Sequence, residues 1–247
     1  VILAARRTLP ALRQALGDRR IVLPLAGSAV MIGVNWLTYV WAVNADHVIA
    51  ASLGYFLNPL VNVALGVIVL KERLRRPQLV AIAVAAVGVA ILAASALTTL
   101  WISLVLAFSF AFYGLLRKLT PVAAMPGLGV ETLLLAPPAT AYLFWEAGHG
   151  GIGFGQDMAT SLLLILSGVV TTVPLVLFAV AARRLPMATL GLLQFLAPTL
   201  QFLCGVVVLG ETLSAGQMAS FALIWAGLIL FATDSYNSAR RNRVAAA

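Results

Sequence analysis

Asn35, Tyr39, Tyr55, Asn58, Asn62, Tyr113, Gln194 and Gln201 each put a hydrogen-bonding side chain into a long apolar run of the sequence. Hydrocarbon offers such groups no partners, so they are costly there unless they face another helix, water or a solute. Their spacing is ordered. Ser52, Tyr55, Pro59, Asn62 and Gly66 recur at steps of three and four residues, which puts them on one face of a helix. Gln194, Pro198, Gln201 and Gly205 repeat the pattern further along. Each stripe carries amide or phenol groups beside a proline, where the helical ladder loses a hydrogen bond and a carbonyl can turn toward a cavity. The chemistry this points to is uncharged hydrogen bonding. The stripes either face a solute pathway or join helices, with Gly allowing close approach, and the two roles are compatible.

Asn35 and Tyr39 lie one turn apart and extend the set of lining candidates, whereas Trp41 and Asn44 sit where an interfacial aromatic belt is expected. Ser109 shares a face with Tyr113, and Ser167, Thr171 and Pro174 share another. Serine and threonine readily bond to their own helix backbone, so they are weaker indicators. Glu131 is the one carboxylate inside an apolar run. It is the candidate for carrying a coupling proton, while pairing with Arg117 or Lys118, or reaching headgroup water, are equally open readings. Glu72 and Glu211 occupy equivalent helix-end turns, where a structural carboxylate binding backbone or basic groups is expected.

Other chemistries lack their residues. The single cysteine, Cys204, lies in an apolar block, and His47 and His149 stand far apart in polar breaks, so no metal site is expected. The Gly-rich stretch from Gly148 to Gly155 has no lysine and is no phosphate cradle, which also argues against direct ATP drive. No cofactor is expected. An intramembrane enzyme would need clustered acid, base or metal-binding groups.

The elements that must hold these side chains follow from composition. Of 247 residues, 62% are hydrophobic and 10% charged, and the apolar residues form blocks of roughly membrane-spanning length. Eight spans are expected near Ile21–Val43, Val48–Leu70, Leu79–Leu97, Leu100–Leu116, Val130–Trp145, Leu162–Ala182, Met187–Leu209 and Met218–Thr233. The runs are continuous rather than alternating, which predicts an all-α integral membrane protein and not a barrel. All sixteen Lys and Arg residues fall on alternate segments: before the first span, after the second, fourth and sixth, and after the eighth. The positive-inside rule then places both termini and these segments in the cytoplasm. The formal charge of +8 is read as topology signals beside anionic headgroups, not as a nucleic-acid surface.

An offset of 139 residues aligns Pro59 with Pro198, Gly66 with Gly205, Glu72 with Glu211, Gln78 with Gln217 and Gly88 with Gly227. The shift spans five helices, an odd number, so equivalent helices run in opposite directions, as in inverted-repeat transporters. Residues 1–97 would be the remainder of a first repeat, a stub plus three helices with two N-terminal helices absent. Residues 98–236 would be a complete second repeat of five helices, and 237–247 a cytoplasmic tail.

The stretches Asn35-Trp36, Trp41-Ala42-Val43-Asn44, Ser52-Leu53-Gly54-Tyr55-Phe56, Asn58-Pro59-Leu60 and Tyr113-Gly114-Leu115-Leu116-Arg117-Lys118 form a recognisable set. Together with Glu131-Thr132, Ala181-Ala182-Arg183-Arg184 and Gly191-Leu192-Leu193-Gln194, they resemble the RarD group in the EamA branch of the drug/metabolite transporter superfamily. The resemblance implies a ten-helix permease of two inverted five-helix repeats, a central cavity for a small organic metabolite or drug, and a bacterial inner-membrane location. It fixes no substrate. A membrane sensor or assembly partner is the alternative, and an intramembrane enzyme a more remote one.

Overall fold

A computed structural model describes residues 2–94, 97–149, 154–203 and 215–245. The described chain is built from ten helices: α1 (Ile2–Gly17), α2 (Arg19–Asn44), α3 (Val48–Ile68), α4 (Arg76–Ala94), α5 (Leu100–Leu119), α6 (Ala124–Gly148), α7 (Met158–Arg184), α8 (Met187–Gln194), α9 (Leu196–Leu203) and α10 (Ala215–Ala245). Six of them, α2, α3, α4, α5, α7 and α10, contain segments long and apolar enough to cross a membrane. The two remaining expected spans correspond to α6 and to α8 with α9. Helix α6 has 25 residues but includes Pro137 and Pro138 as well as Glu131 and Glu146. The span expected from Met187 passes through an irregular turn at Phe195, between α8 and α9, with Phe195 itself right-handed helical (φ −64°, ψ −16°).

Local chemistry sets several boundaries. Asp18 Oδ1 accepts the Arg20 N–H at 2.8 Å where α2 begins. Asp157 is the N-cap of α7, accepting the Thr160 N–H at 2.7 Å, and hydrogen bonding from the Thr160 side chain and then its backbone holds the carboxyl below the ordinary carboxylate range. The turns after α2 and α3 pass through left-handed backbone at Asp46 (φ 59°) and Lys71 (φ 55°).

Contacts divide the chain into two compact units, Val1–Val34 with Phe112–Leu185, and Asn35–Ala111 with Pro186–Ala247. In the first, α1 and α7 pack on α6. Ala15, Leu25, Val122 and Val130 form a small core. Basic side chains close this unit at one end: Lys118 Nζ donates to the carbonyls of Ala182 (3.2 Å) and Leu185, and Arg183 to that of Val122. Along α7, Leu163, Ile165, Leu166, Val169 and Val170 are exposed, as a lipid-facing surface requires. Ser167, Thr171 and Thr172 donate to carbonyls of their own helix.

The second unit has the larger core, with Phe56, Leu192, Phe195, Phe221, Ile224 and Phe231 among its buried members. Helices α4 and α10 meet at glycines. A Cβ at Gly88 would lie 2.7 Å from the Ser220 carbonyl, and one at Gly227 2.6 Å from the Ala81 carbonyl. Gly88 and Gly227 are equivalent at the 139-residue offset, and so are Ala81 and Ser220. The contact is therefore reciprocal, as two related segments packed about a pseudo-twofold axis require. Arg75 Nη2 and Asp234 Oδ2 add a 2.8 Å ion pair.

A methyl group at Gly227 has backbone in its way, whereas Gly168 has nothing within 4 Å of its would-be Cβ. Gly227→Ala is expected to destabilise the protein by about 1–3 kcal/mol through overpacking. Gly168→Ala is expected to be neutral or stabilising by up to about 1 kcal/mol. Thermal unfolding in detergent tests both, and equal melting temperatures for the two variants would contradict the close contact.

Candidate functional site

Helix α3 remains continuous through Pro59, and along it Tyr55, Asn58 and Asn62 point their polar groups in related directions. Tyr55 meets Tyr39 of α2 edge-on, with ring centroids 6.0 Å apart and planes at 65°. One turn further, the amides of Asn58 and Asn62 converge on Gln194. Asn58 Nδ2 donates to Gln194 Oε1 at 2.9 Å, and Asn62 Nδ2 donates to the same oxygen at 2.6 Å and to Asn58 Oδ1 at 3.3 Å. Asn58 and Asn62 are buried. Asn62 Oδ1 and Gln194 Nε2 are buried too, and neither has a hydrogen-bond partner within the described protein.

Two features of α8 deliver Gln194 to this place. Gly191 lets α8 approach the backbone of α3, since a Cβ there would fall 2.6 Å from the Pro59 carbonyl and 3.0 Å from Asn62 Cβ. Gln194 is then the last residue of α8. Pro198, four residues on, has no N–H for the Gln194 carbonyl, and the Phe195 N–H turns back to the Leu192 carbonyl at 3.2 Å. Pro59 likewise has no N–H for the Tyr55 carbonyl. The other end of α8 is held by Glu72, whose Oε1 accepts the Met187 N–H at 2.7 Å and whose Oε2 accepts that of Ala188 at 3.1 Å. These are first-turn donors with no helical acceptor, and an anion there also meets the positive end of the helix dipole. Gly66 leaves room for that carboxylate, because a Cβ at Gly66 would lie 2.8 Å from Glu72 Oε2.

Asn35 ties α2 to α5 through the Leu106 carbonyl (2.9 Å) and Ser109 Oγ (3.0 Å), and Ser103 Oγ donates to the Ala50 carbonyl of α3 at 2.6 Å. The second unit thus brings together Tyr39 with Tyr55, and Asn58 and Asn62 with Gln194. Pro198 is buried in α9. Gln201 belongs to the backbone of α9, but its side chain, together with Gly205 and Glu211, lies outside the described residues.

Tyr113 and Glu131 belong to the other unit. Glu131 Oε1 stands 3.7 Å from Arg117 Nη1, and both side chains are 1% exposed. Arg117 Nη2 donates to the Ala124 carbonyl at 2.8 Å, and the guanidinium fills the space where Gly127 has no Cβ. The Ser28 hydroxyl contacts Glu131 Oε1 and is 2.9 Å from the Leu25 carbonyl; having one proton, it donates to one of them at a time. Arg117 Nε and Nη1 and Glu131 Oε2 have no hydrogen-bond partner within the described protein. Tyr113 is fully buried, stacked on Phe178 at 5.9 Å and within electrostatic reach of Glu131 and Arg117. Of the open readings for Glu131, the structure shows pairing with Arg117. Ser28 and the irregular turn at Phe195 had no distinct sequence signal, since serine is common in apolar helices and proline alone does not specify such a turn.

Comparison with known proteins adds identity to this geometry. Residues 2–94 match the EamA-like transporter family. An uncharacterized transporter of Pseudomonas aeruginosa is 49% identical over 88% of this chain and 73% of its own length. The protein RarD of Escherichia coli is also 49% identical, over 88% of this chain and 74% of its own. A solved crystal structure shares the fold at a TM-score of 0.54 and 17% identity, covering 91% of this chain and 92% of that one.

The buried ion pair yields a stability prediction. Arg117→Ala alone leaves Glu131 without its counter-charge and is expected to cost about 3–5 kcal/mol. Arg117→Met combined with Glu131→Gln removes both charges and is expected to recover most of that loss. Denaturation of the single and double variants checks this, and a double variant no more stable than Arg117→Ala would argue against the coupling.

Proposed function

The chain belongs to the EamA-like transporter family, and on that premise we propose that it is a secondary transporter moving a small organic metabolite or drug through a central, alternately exposed cavity. The observation that carries this reading is the buried amide cluster of Asn58, Asn62 and Gln194, whose hydrogen bonding is incomplete among the described residues, beside the irregular helical turn at Phe195. Polar side chains kept inside an apolar bundle without full partners mark solute pathways in membrane proteins. Tyr39, Tyr55, Asn58, Asn62, Gln194 and Gln201 would line the pathway, with Asn35 and Tyr113 supporting it. Pro59, Gly66, Pro198 and Gly205 would shape the helices, and Glu72 and Glu211 would hold helix ends.

Residues 1–97 and 98–236 would serve as the two inverted halves. The distribution of Lys and Arg supports an orientation with both ends in the cytoplasm, and the resemblance to bacterial relatives supports an inner-membrane location. Glu131 is the proposed carrier of a coupling proton: a buried carboxylate paired with one arginine and one hydroxyl changes its partners when it gains a proton. The work is translocation, with no bond made or broken in the solute.

The test is saturable uptake and efflux of amino acids, drugs and other small metabolites in proteoliposomes, with and without a pH gradient. Asn62→Ala and Gln201→Ala are expected to lower kcat/KM by about tenfold or more, a loss of about 1.4 kcal/mol. Glu131→Gln, made together with Arg117→Met so that no buried charge is left unpaired, is expected to retain exchange and lose its dependence on the gradient. Full flux from both amide variants would remove the pathway from this face of α3 and α9, and unchanged gradient dependence in that double variant would remove the proton from Glu131.

A further inference from the structure

The hydrogen-bond bookkeeping of the amide cluster determines what it can offer a ligand. Both protons on Asn62 Nδ2 are engaged, one by Gln194 Oε1 and one by Asn58 Oδ1, so Asn62 has only its Oδ1 left to give. Gln194 Oε1 already accepts two bonds, from Asn58 and Asn62, so Gln194 has only its Nε2 left. Within the cluster these two atoms are the buried ones without a partner among the described residues. The internal bonds thus leave an acceptor on Asn62 and an amide donor on Gln194 unsatisfied, beside the second proton of Asn58 Nδ2. Swapping the Gln194 amide alone would set its NH2 against the donors of both asparagines, so the three amide orientations are tied to one another.

No charged side chain hydrogen-bonds to the cluster among the described residues. Among those residues the ionisable groups of the same unit, apart from tyrosines, lie in the Asp46–His47 turn, in the Lys71–Arg76 segment, at Asp234 and at Arg240, Arg241 and Arg243 near the end of α10. The carboxylate closest in role, Glu72, is already occupied by the first turn of α8. An anion brought to the cluster would meet Asn62 Oδ1 as an unfavourable atom and a cation would meet Gln194 Nε2, with no bonded counter-charge among the described residues to offset desolvation. A neutral group carrying both a donor and an acceptor would satisfy both atoms.

We propose that Asn62 Oδ1 and Gln194 Nε2 form the recognition point for an uncharged group bearing one hydrogen-bond donor and one acceptor, of which a carboxamide is the smallest, and that they discriminate against carboxylates and ammonium ions. This deepens the transporter reading and rests on it for the claim that the bound group belongs to a transported solute.

The test uses three compounds with the same branched chain: isovaleramide (neutral), isovalerate (anion) and isoamylammonium (cation). Binding is measured by saturation-transfer NMR on the full-length protein in nanodiscs, with empty nanodiscs as the blank. Isovaleramide is expected to bind at least about tenfold more tightly than either ion. Gln194→Glu replaces the free donor with an acceptor and is expected to shift the preference to isoamylammonium. Gln194→Met removes the donor without adding charge and is expected to weaken isovaleramide about tenfold, leaving the ions unchanged. It serves if the glutamate variant does not fold.

Absence of isovaleramide binding above the blank, equal binding of the three compounds, or unaltered selectivity in a folded Gln194 variant would each overturn the proposal. Flux of some solute by a protein that does not bind isovaleramide would overturn this ligand class and leave the transporter reading standing. Isovaleramide binding by a protein that moves no solute would do the reverse.

Discussion

The governing constraint is that a chain with 62% hydrophobic residues must close nearly all of its hydrogen bonds within itself. Helices satisfy the backbone, and the hydroxyls of Ser167, Thr171 and Thr172 fold back onto their own turns. Amides cannot do this as easily, so Asn58 and Asn62 reach across to α8, and Asn35 to α5. Such reach needs close backbones. Glycine supplies it at Gly191, Gly88 and Gly227, where a single methyl would collide with a carbonyl. The polar cluster and the glycine contacts are therefore one arrangement: without the approach at Gly191, Gln194 would not arrive between the two asparagines.

The two units spend their polar groups differently. A neutral hydrogen bond is worth about 0.5–1.5 kcal/mol net, so an amide cluster that lacks a partner or two loses little. A buried ion pair carries several kcal/mol of desolvation per ion, and its stability depends on keeping both partners. Arg117 and Glu131 are nearly solvent-free, and their closest approach is longer than a good hydrogen bond. The amide cluster is thus suited to exchanging partners at modest cost, as binding and release require. The ionic cluster resists change until one of its charges is neutralised.

Much of this was legible in the sequence. Continuous apolar runs gave the helices, and the polar steps of three and four along α3 put Asn62 among the residues that the structure buries. Gly88 and Gly227, matched at the 139-residue offset, both lie at close contacts between α4 and α10. Partners were less accessible. The offset equates Asn62 with Gln201, yet Asn62 bonds to Gln194, because equivalence under a repeat describes symmetry and not contact. Pro59 and Pro198 are equivalent as well, and only the second accompanies an irregular turn. Proline removes one hydrogen bond in both places, and packing around it decides how far the helix departs from regularity. Ser28 could not be singled out, since its significance comes only from Glu131, 103 positions away.

The register between α3 and α8 constrains where movement can occur. Met187 lies at Gly66, Gly191 at Pro59 and Asn62, and Gln194 at Asn58 and Asn62, so α8 runs antiparallel to α3 and is fixed at both ends. Its eight residues span only about 12 Å. Over that length the Glu72 carboxylate holds the first turn and the amides hold the last residue. A short helix pinned twice to the same neighbour moves with that neighbour. The ladder is already irregular one residue later, at Phe195, where a change of direction costs the fewest additional hydrogen bonds. A bend of this segment would therefore cost least at Phe195, directly beside Asn62 and Gln194, so that a group held by those amides and such a bend would act on one another through the same residue.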